Sequence, residues 1–223
     1  MGSQTIIDLI ASTMVFGFLL IIILRITASN GQNMQAYQND LVVQENLVAV
    51  VQLLEYDFHK IAYCKDPTQI PFAQNAILKA DTNKIIFLTD FATAAAPEGD
   101  GIRDTLSYYV GPTSEASNTP NPNDRLLYRV ENSKTPIGVN MGLTTFNLKY
   151  YKSNGDQLEA NVIPANLQFI QTMMITIEVQ SYSGSIDSIW AGETKSKTDA
   201  QHSIYQSAYW RQIRMVSKNI QQR

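Results

Sequence analysis

Leu9-Ile10-Ala11-Ser12-Thr13-Met14-Val15-Phe16-Gly17-Phe18-Leu19-Leu20-Ile21-Ile22-Ile23-Leu24 contains no charged side chain. At about 1.5 Å per residue, sixteen such residues form a helix of ~24 Å. With Ile6 and Ile7 before Asp8, the run reaches the short edge of a membrane span, which takes roughly 17–25 residues. A secretory signal is the rival reading, and Ala28-Ser29 would then serve as the small-residue cut site. No basic leader precedes the run, and no proline breaks the chain after Arg25. A buried core helix is the third reading, and it would have to be apolar on every face. The retained single-pass anchor over residues 4–25 is the expected outcome. Arg25 alone leans towards a cytoplasmic C-terminus by the positive-inside rule.

Outward from this run the composition changes. The chain has 223 residues, 44% hydrophobic and 17% charged, with a net charge of −3. A mean hydropathy of −0.14 averages an apolar end with a polar remainder. No basic excess is present to neutralise a polyanion, so nucleic acid is not an expected partner. A single cysteine, Cys64, excludes an intrachain disulfide framework, and two histidines, His59 and His202, leave little for imidazole chemistry. No nucleophile elbow, phosphate loop or paired-histidine zinc motif occurs, and no enzyme is expected.

The helical pattern continues past the anchor. Val43, Leu47, Val51, Leu54, Phe58 and Ile61 recur at spacings of three and four, an apolar stripe with Glu45, Gln52, Glu55 and Lys60 off it. Pro67 and Pro71 place the end of any helix near Lys65 or Asp66. A helix from Thr5 to Ala62 would be ~87 Å long. Residues 26–62 are therefore read as an amphipathic continuation of the anchor.

Residues 63–223 change to period two. Strands are expected at Lys84–Asp90, Thr105–Val110 and Arg125–Val130, and around Phe146, Leu148 and Tyr150. Others are expected along Met173, Ile175, Ile177 and Val179, and within Ala208–Ser217 with Trp210, Ile213 and Met215. Asn154-Gly155 marks a tight turn. About six strands joined by turns imply a mainly antiparallel sheet, with the Val43–Ile61 stripe as its lid. The fold class is α+β: a long N-terminal helix packed on an antiparallel sheet.

Gln4-Thr5-Ile6-Ile7-Asp8-Leu9-Ile10 resembles the N-terminal segment of type IV pilins and type II secretion pseudopilins. The likeness extends to Leu53-Leu54-Glu55-Tyr56-Asp57-Phe58-His59-Lys60-Ile61-Ala62-Tyr63, then Leu106–Val110, Asp124–Arg129 and Leu148–Gly155. Ile175–Val179 and Met215–Asn219 follow in the same order. In that sequence the segments look like those of the larger minor subunits, the W-type minor pilins and J-type pseudopilins. The resemblance implies a pilin-like fold and cleavage between Ser3 and Gln4 by a prepilin peptidase. Residues 1–3 would then be a short leader, and Gln4 a methylated N-terminus. Ser3 stands where the family usually has Gly, and Asp8 where it has Glu. Asp8, fifth after the cut, would pair with a neighbouring subunit's Gln4 amine and set the axial register. Its alternative is a carboxylate at the lipid interface.

Partners implied by the resemblance are other pilin or pseudopilin subunits, the peptidase, an inner-membrane assembly platform and lipid. The location implied is the bacterial inner membrane, with residues 63–223 extracytoplasmic, and a filament after assembly. The rival is a membrane-tethered adhesin or sensor domain that does not polymerise. No cofactor is expected. Glu98, Asp100 and Asp104 form a weak calcium candidate beside the reading of a solvated turn, because related pseudopilins include calcium binders. Arg211, Arg214, Lys218 and Arg223 make a basic C-terminus, read as a solvated edge and tail.

Overall fold

A computed structural model describes residues 2–94, 96–119, 121–182, 205–216 and 218–221, so His202, Ser217 and Arg223 lie outside the described residues. The chain divides into two compact units, Met1–Leu41 and Val42–Arg223. One helix, α1 (Gly2–His59), supplies all the described secondary structure of the first unit and the opening of the second.

In the first unit α1 is apolar and bare. Ile6–Gly31 has a mean hydropathy of 2.6 with none of it buried, and glycines 17 and 31 leave the helix uninterrupted. Three hydroxyls in this stretch bond to the helix's own backbone. Ser12 and Thr13 donate to the carbonyls of Leu9 and Ile10, and Thr27 donates to that of Ile23, each at 2.9 Å.

The second unit is α+β. Its strands are β1 (Ile77–Ala80), β2 (Lys84–Thr89), β3 (Asp104–Val110), β4 (Leu127–Glu131), β5 (Gly138–Val139), β6 (Leu143–Tyr151), β7 (Thr172–Tyr182) and β8 (Tyr205–Val216), followed by the short helix α2 (Lys218–Gln221). They form two antiparallel sheets, β1-β2-β3-β4-β5 and β6-β7-β8. The single sheet of about six strands expected from the sequence is thus two sheets, with β1 and β5 added. Both additions are too short, at four and two residues, to show a period. The sheets meet where the β1–β2 turn reaches β6: Leu148 donates its amide to the Thr82 carbonyl at 2.7 Å, and the Tyr150 hydroxyl donates to that of Asp81 at 2.8 Å.

Alternation decides which face is buried. Ile85 and Phe87, Leu106 and Tyr108, Leu148 and Tyr150, and Met173, Ile175, Ile177 and Val179 all point into one apolar core. The helix stripe enters the same core. Val43, Leu47, Val51, Leu54, Phe58 and Ile61 are buried, joined by Val50. Phe58 meets Phe87 and Tyr108 edge-on, with ring centroids 5.4 and 5.6 Å apart.

α1 ends at His59, before the boundary inferred from Pro67 and Pro71. The reason is competition from the sheet. The Ala62 amide donates to the Leu88 carbonyl at 3.0 Å instead of continuing the helical ladder, and Ala62 adopts a φ of 65°. Thr89 donates its hydroxyl to the Lys60 carbonyl, and Asn219 of α2 donates its amide to the carbonyls of His59 and Ile61. The last turn of the helix is thus capped by residues distant in sequence. After β6, the Asn154-Gly155 turn returns the chain for one bridge only, Tyr151 with Gln157.

Candidate functional site

Three features concentrate the chemistry of the molecule: the bare apolar helix, a buried ion-paired cluster under α1, and a carboxylate cluster beside its end.

The first is defined by what it exposes. Large apolar side chains from Ile6 to Ile26 stand outward on all sides of the helix, for example Leu9, Phe16, Phe18 and Leu24 at 60–67% exposure. At 26 residues and about 1.5 Å each, Ile6–Gly31 is ~39 Å long, against a hydrocarbon core of roughly 30 Å. Its internally bonded hydroxyls match a solvent that offers no hydrogen bonds. Ser3, Gln4 and Asp8 all fall in the first turns of α1. Gln4 and Asp8 are exposed, and no ion pair to Asp8 occurs among the described residues.

The second feature fastens the helix to the five-stranded sheet. Asp57 on α1 is 2% exposed, and its carboxylate receives the Arg129 Nε from β4 at 2.6 Å and the Tyr108 hydroxyl from β3. Arg129 also pairs with Glu131, which accepts from Lys134 at 2.7 Å. Burial pushes the Tyr108 hydroxyl well above the usual tyrosine range, helped by the Asp57 charge. Burial opposes the charge on Arg129, but its bonds to Asp57 and Glu131 outweigh it and hold the guanidinium protonated. The Lys134 hydrogen bond, with Arg129 behind it, lowers Glu131. Asp57, Tyr108 and Arg129 each lie inside a segment quoted for the resemblance, but the Asp57–Arg129 pair spans 72 positions and the Tyr108–Asp57 bond 51, so neither leaves a local pattern.

The third feature revises the calcium candidate. The structure gathers Asp100 and Asp104 with Asp90, their carboxylate oxygens within 4.8 Å of one another; Glu98 is not part of the group. Asp90 is completely buried and already engaged. Its Oδ1 accepts from the Asp100 amide at 3.1 Å, and its Oδ2 from the amides of Lys65 and Gly101 at 3.1 and 3.0 Å. Asp104 accepts from Asn132 at 2.8 Å and Asp100 from the Ile102 amide at 2.8 Å. Calcium takes six to eight oxygens, whereas here three carboxylates serve as acceptors for backbone and amide donors. The set fits a hydrogen-bonded loop anchor better than a calcium site. Gly99, at φ +102°, makes the anchor possible, since a Cβ there would stand 2.2 Å from the Asp90 Oδ1.

The remaining residues singled out from the sequence are dispersed. His59 is exposed at the helix end, and Cys64 is buried with its thiol directed at Asp90 Oδ2, 3.6 Å away. Burial, then the nearby Asp90 charge, raises the Cys64 thiol above its ordinary range, so it is a poor nucleophile at neutral pH. Arg211 and Arg214 are exposed on β8, and Arg214 lies 5.8 Å from the Tyr151 ring.

No family model and no curated protein matches this chain. Among solved structures it is similar to a type IV-like pilin from Thermus thermophilus, at 8% sequence identity and a TM-score of 0.42, over 79% of this chain and 97% of that one.

Proposed function

We propose that this chain is a structural, non-catalytic subunit of the type IV pilin and pseudopilin class, of the larger minor kind. The observation that carries the reading is the division of labour along α1. Ile6–Gly31 is apolar and bare, whereas the Val43–Ile61 stripe is consumed by the core of its own β-rich unit. A helix apolar all round requires either lipid or other helices. Membrane insertion followed by transfer into a bundle of like helices satisfies both needs with the same surface. The resemblance of Gln4–Ile10 to the pilin N-terminus supports this order of events.

On this reading the peptidase cuts between Ser3 and Gln4, and the anchor crosses the bacterial inner membrane with its N-terminus cytoplasmic. The β-rich unit is extracytoplasmic and contacts neighbouring subunits near the filament tip. Asp8 accepts the Gln4 amine of a neighbour. Within lipid-like surroundings that pair holds register because an unpaired carboxylate there is costly.

Mass spectrometry of the mature N-terminus tests the reading. A chain beginning at Gln4, with or without a methyl group, is expected; an intact Met1 in the membrane fraction supports a tethered domain that does not polymerise. Asp8→Ala is expected to reduce incorporation into filaments while leaving membrane insertion unchanged. Unchanged incorporation removes the pairing role.

A further inference from the structure

A polar cleft of about 200 Å³ opens on the outer face of the three-stranded sheet, lined by Arg125, Glu178, Gln180, Thr145, Asn123 and Thr113 among others. It lies within the β-rich unit and shares nothing with the apolar helix, the Asp57 cluster or the Asp90 loop. Its polar groups are held in place. Thr145 donates to Glu178 Oε2 and Gln180 donates to Oε1, both at 2.9 Å, and Asn121, almost fully buried, approaches the Gln180 Oε1 at 3.5 Å. Each oxygen of Glu178 therefore has one fixed donor and keeps acceptor capacity for another. Among the described residues, no hydrogen bond or ion pair engages the Arg125 guanidinium, which leaves five N–H donors directed to no protein partner.

One strand beyond the lining residue Glu178 stands an exposed aromatic side chain, Trp210. Thr145, Glu178 and Trp210 stand in one row across β6, β7 and β8. Cross-strand partners share a face, with Cβ atoms about 4.5–5.5 Å apart, so Trp210 adjoins the cleft wall. At 69% exposure it offers most of an indole surface to solvent. The next position on that face of β8 is Ala208, opposite Gln180, which leaves the approach open.

We propose that this cleft is a saccharide subsite that seats one sugar ring, with Trp210 as its stacking surface. The chemistry selects the ligand class. A pyranose presents an apolar C–H face and a rim of hydroxyls that donate and accept, and the site offers one aromatic face with mixed amide, hydroxyl, carboxylate and guanidinium groups. Arg125 and Glu178 balance in charge, which favours a neutral sugar over a phosphate or a basic peptide. The volume lies below the roughly 300–1,000 Å³ of a drug-sized pocket, so a single ring enters and any longer glycan extends over the sheet. The inference stands apart from assembly: a chain that never polymerises keeps the same cleft.

The test is saturation-transfer NMR on the full chain in an amine-oxide detergent, which avoids competing glucoside headgroups. The probes are the methyl glycosides of glucose, galactose, N-acetylglucosamine and N-acetylgalactosamine, with a Gly-Ser tetrapeptide as comparison. At least one glycoside is expected to receive saturation at its ring protons, with a dissociation constant on the order of 1 mM. Trp210→Ala is expected to weaken that binding about fivefold or more, and Trp210→Phe to retain most of it. Gln168→Ala, in a separate cleft beside β1, is expected to leave it unchanged. No transfer to any of the four glycosides, transfer to the peptide alone, or full binding by Trp210→Ala overturns the proposal.

Discussion

Asp57 is a carboxylate held almost free of water, and its energetic role follows from its two donors. Removing one partner of a buried ion pair leaves the other charge uncompensated, which costs about 3–5 kcal/mol. Arg129 retains 27% side-chain exposure, so Asp57→Ala is expected near the low end, about 3 kcal/mol, read as a fall in urea midpoint with unchanged slope. Asp57→Asn is expected to lose less, because an amide oxygen still accepts from Tyr108 and Arg129. At Gly99 the constraint is steric. Gly99→Ala puts a methyl onto the Asp90 carboxylate and a side chain at positive φ, and about 1–3 kcal/mol of stability is expected to be lost. Backbone amide exchange should then rise first around Asp100 and Gly101, whose amides Asp90 holds. Adding calcium is expected to leave the melting temperature unchanged, because the Asp90 oxygens are committed to those amides.

At the scale of elements, the C-terminal part of α1 is bound to the sheets along its buried stripe from Val43 to Phe58. Phe58 packs against Phe87 of β2 and Tyr108 of β3, and Phe58→Ala is expected to cost about 3–5 kcal/mol in a thermal or denaturant melt. A comparable change at exposed Leu53 is expected to cost under about 0.5 kcal/mol. The same helix shows what could be read from residue order. Its stripe is legible because period 3.6 persists over nineteen residues, β6 and β7 because apolar and polar residues alternate, β2 as a short apolar run, and β3 by the Gly111-Pro112 turn that closes it. β1 and β5 are shorter than either signal needs. Pro67 is a local signal and marks a later boundary than the real stop, where the Leu88 carbonyl draws the Ala62 amide away. Asp90 is illegible for a similar reason: as a lone acid at the end of an apolar strand, it shows no pattern until the fold brings Asp100 and Asp104 to it. The row Thr145-Glu178-Trp210 is likewise a product of register, invisible without the strand pairing.

Across the molecule, two buried tyrosines set an alkaline limit. Tyr108 and Tyr150 both have hydroxyls raised far above the ordinary tyrosine value, chiefly by burial. In the unfolded chain they ionise near pH 10, while the folded protein keeps them protonated. The stability this represents is complete below about pH 10 and is lost as pH rises from there towards the folded values. Alkaline titration should therefore show delayed tyrosinate absorbance followed by a cooperative step that coincides with loss of circular dichroism. Tyr108→Phe is expected to shift that step and to leave Asp57 one donor short. The contact between Asn219 and the carbonyls of His59 and Ile61, made across 160 and 158 positions, also governs timing. Synthesis runs from the N-terminus, so the greasy segment and its stripe emerge long before β8 and the cap that closes the helix. The core that buries the Val43–Ile61 face is therefore completed only after β8 and Asn219 have emerged, and until then that face is left uncovered.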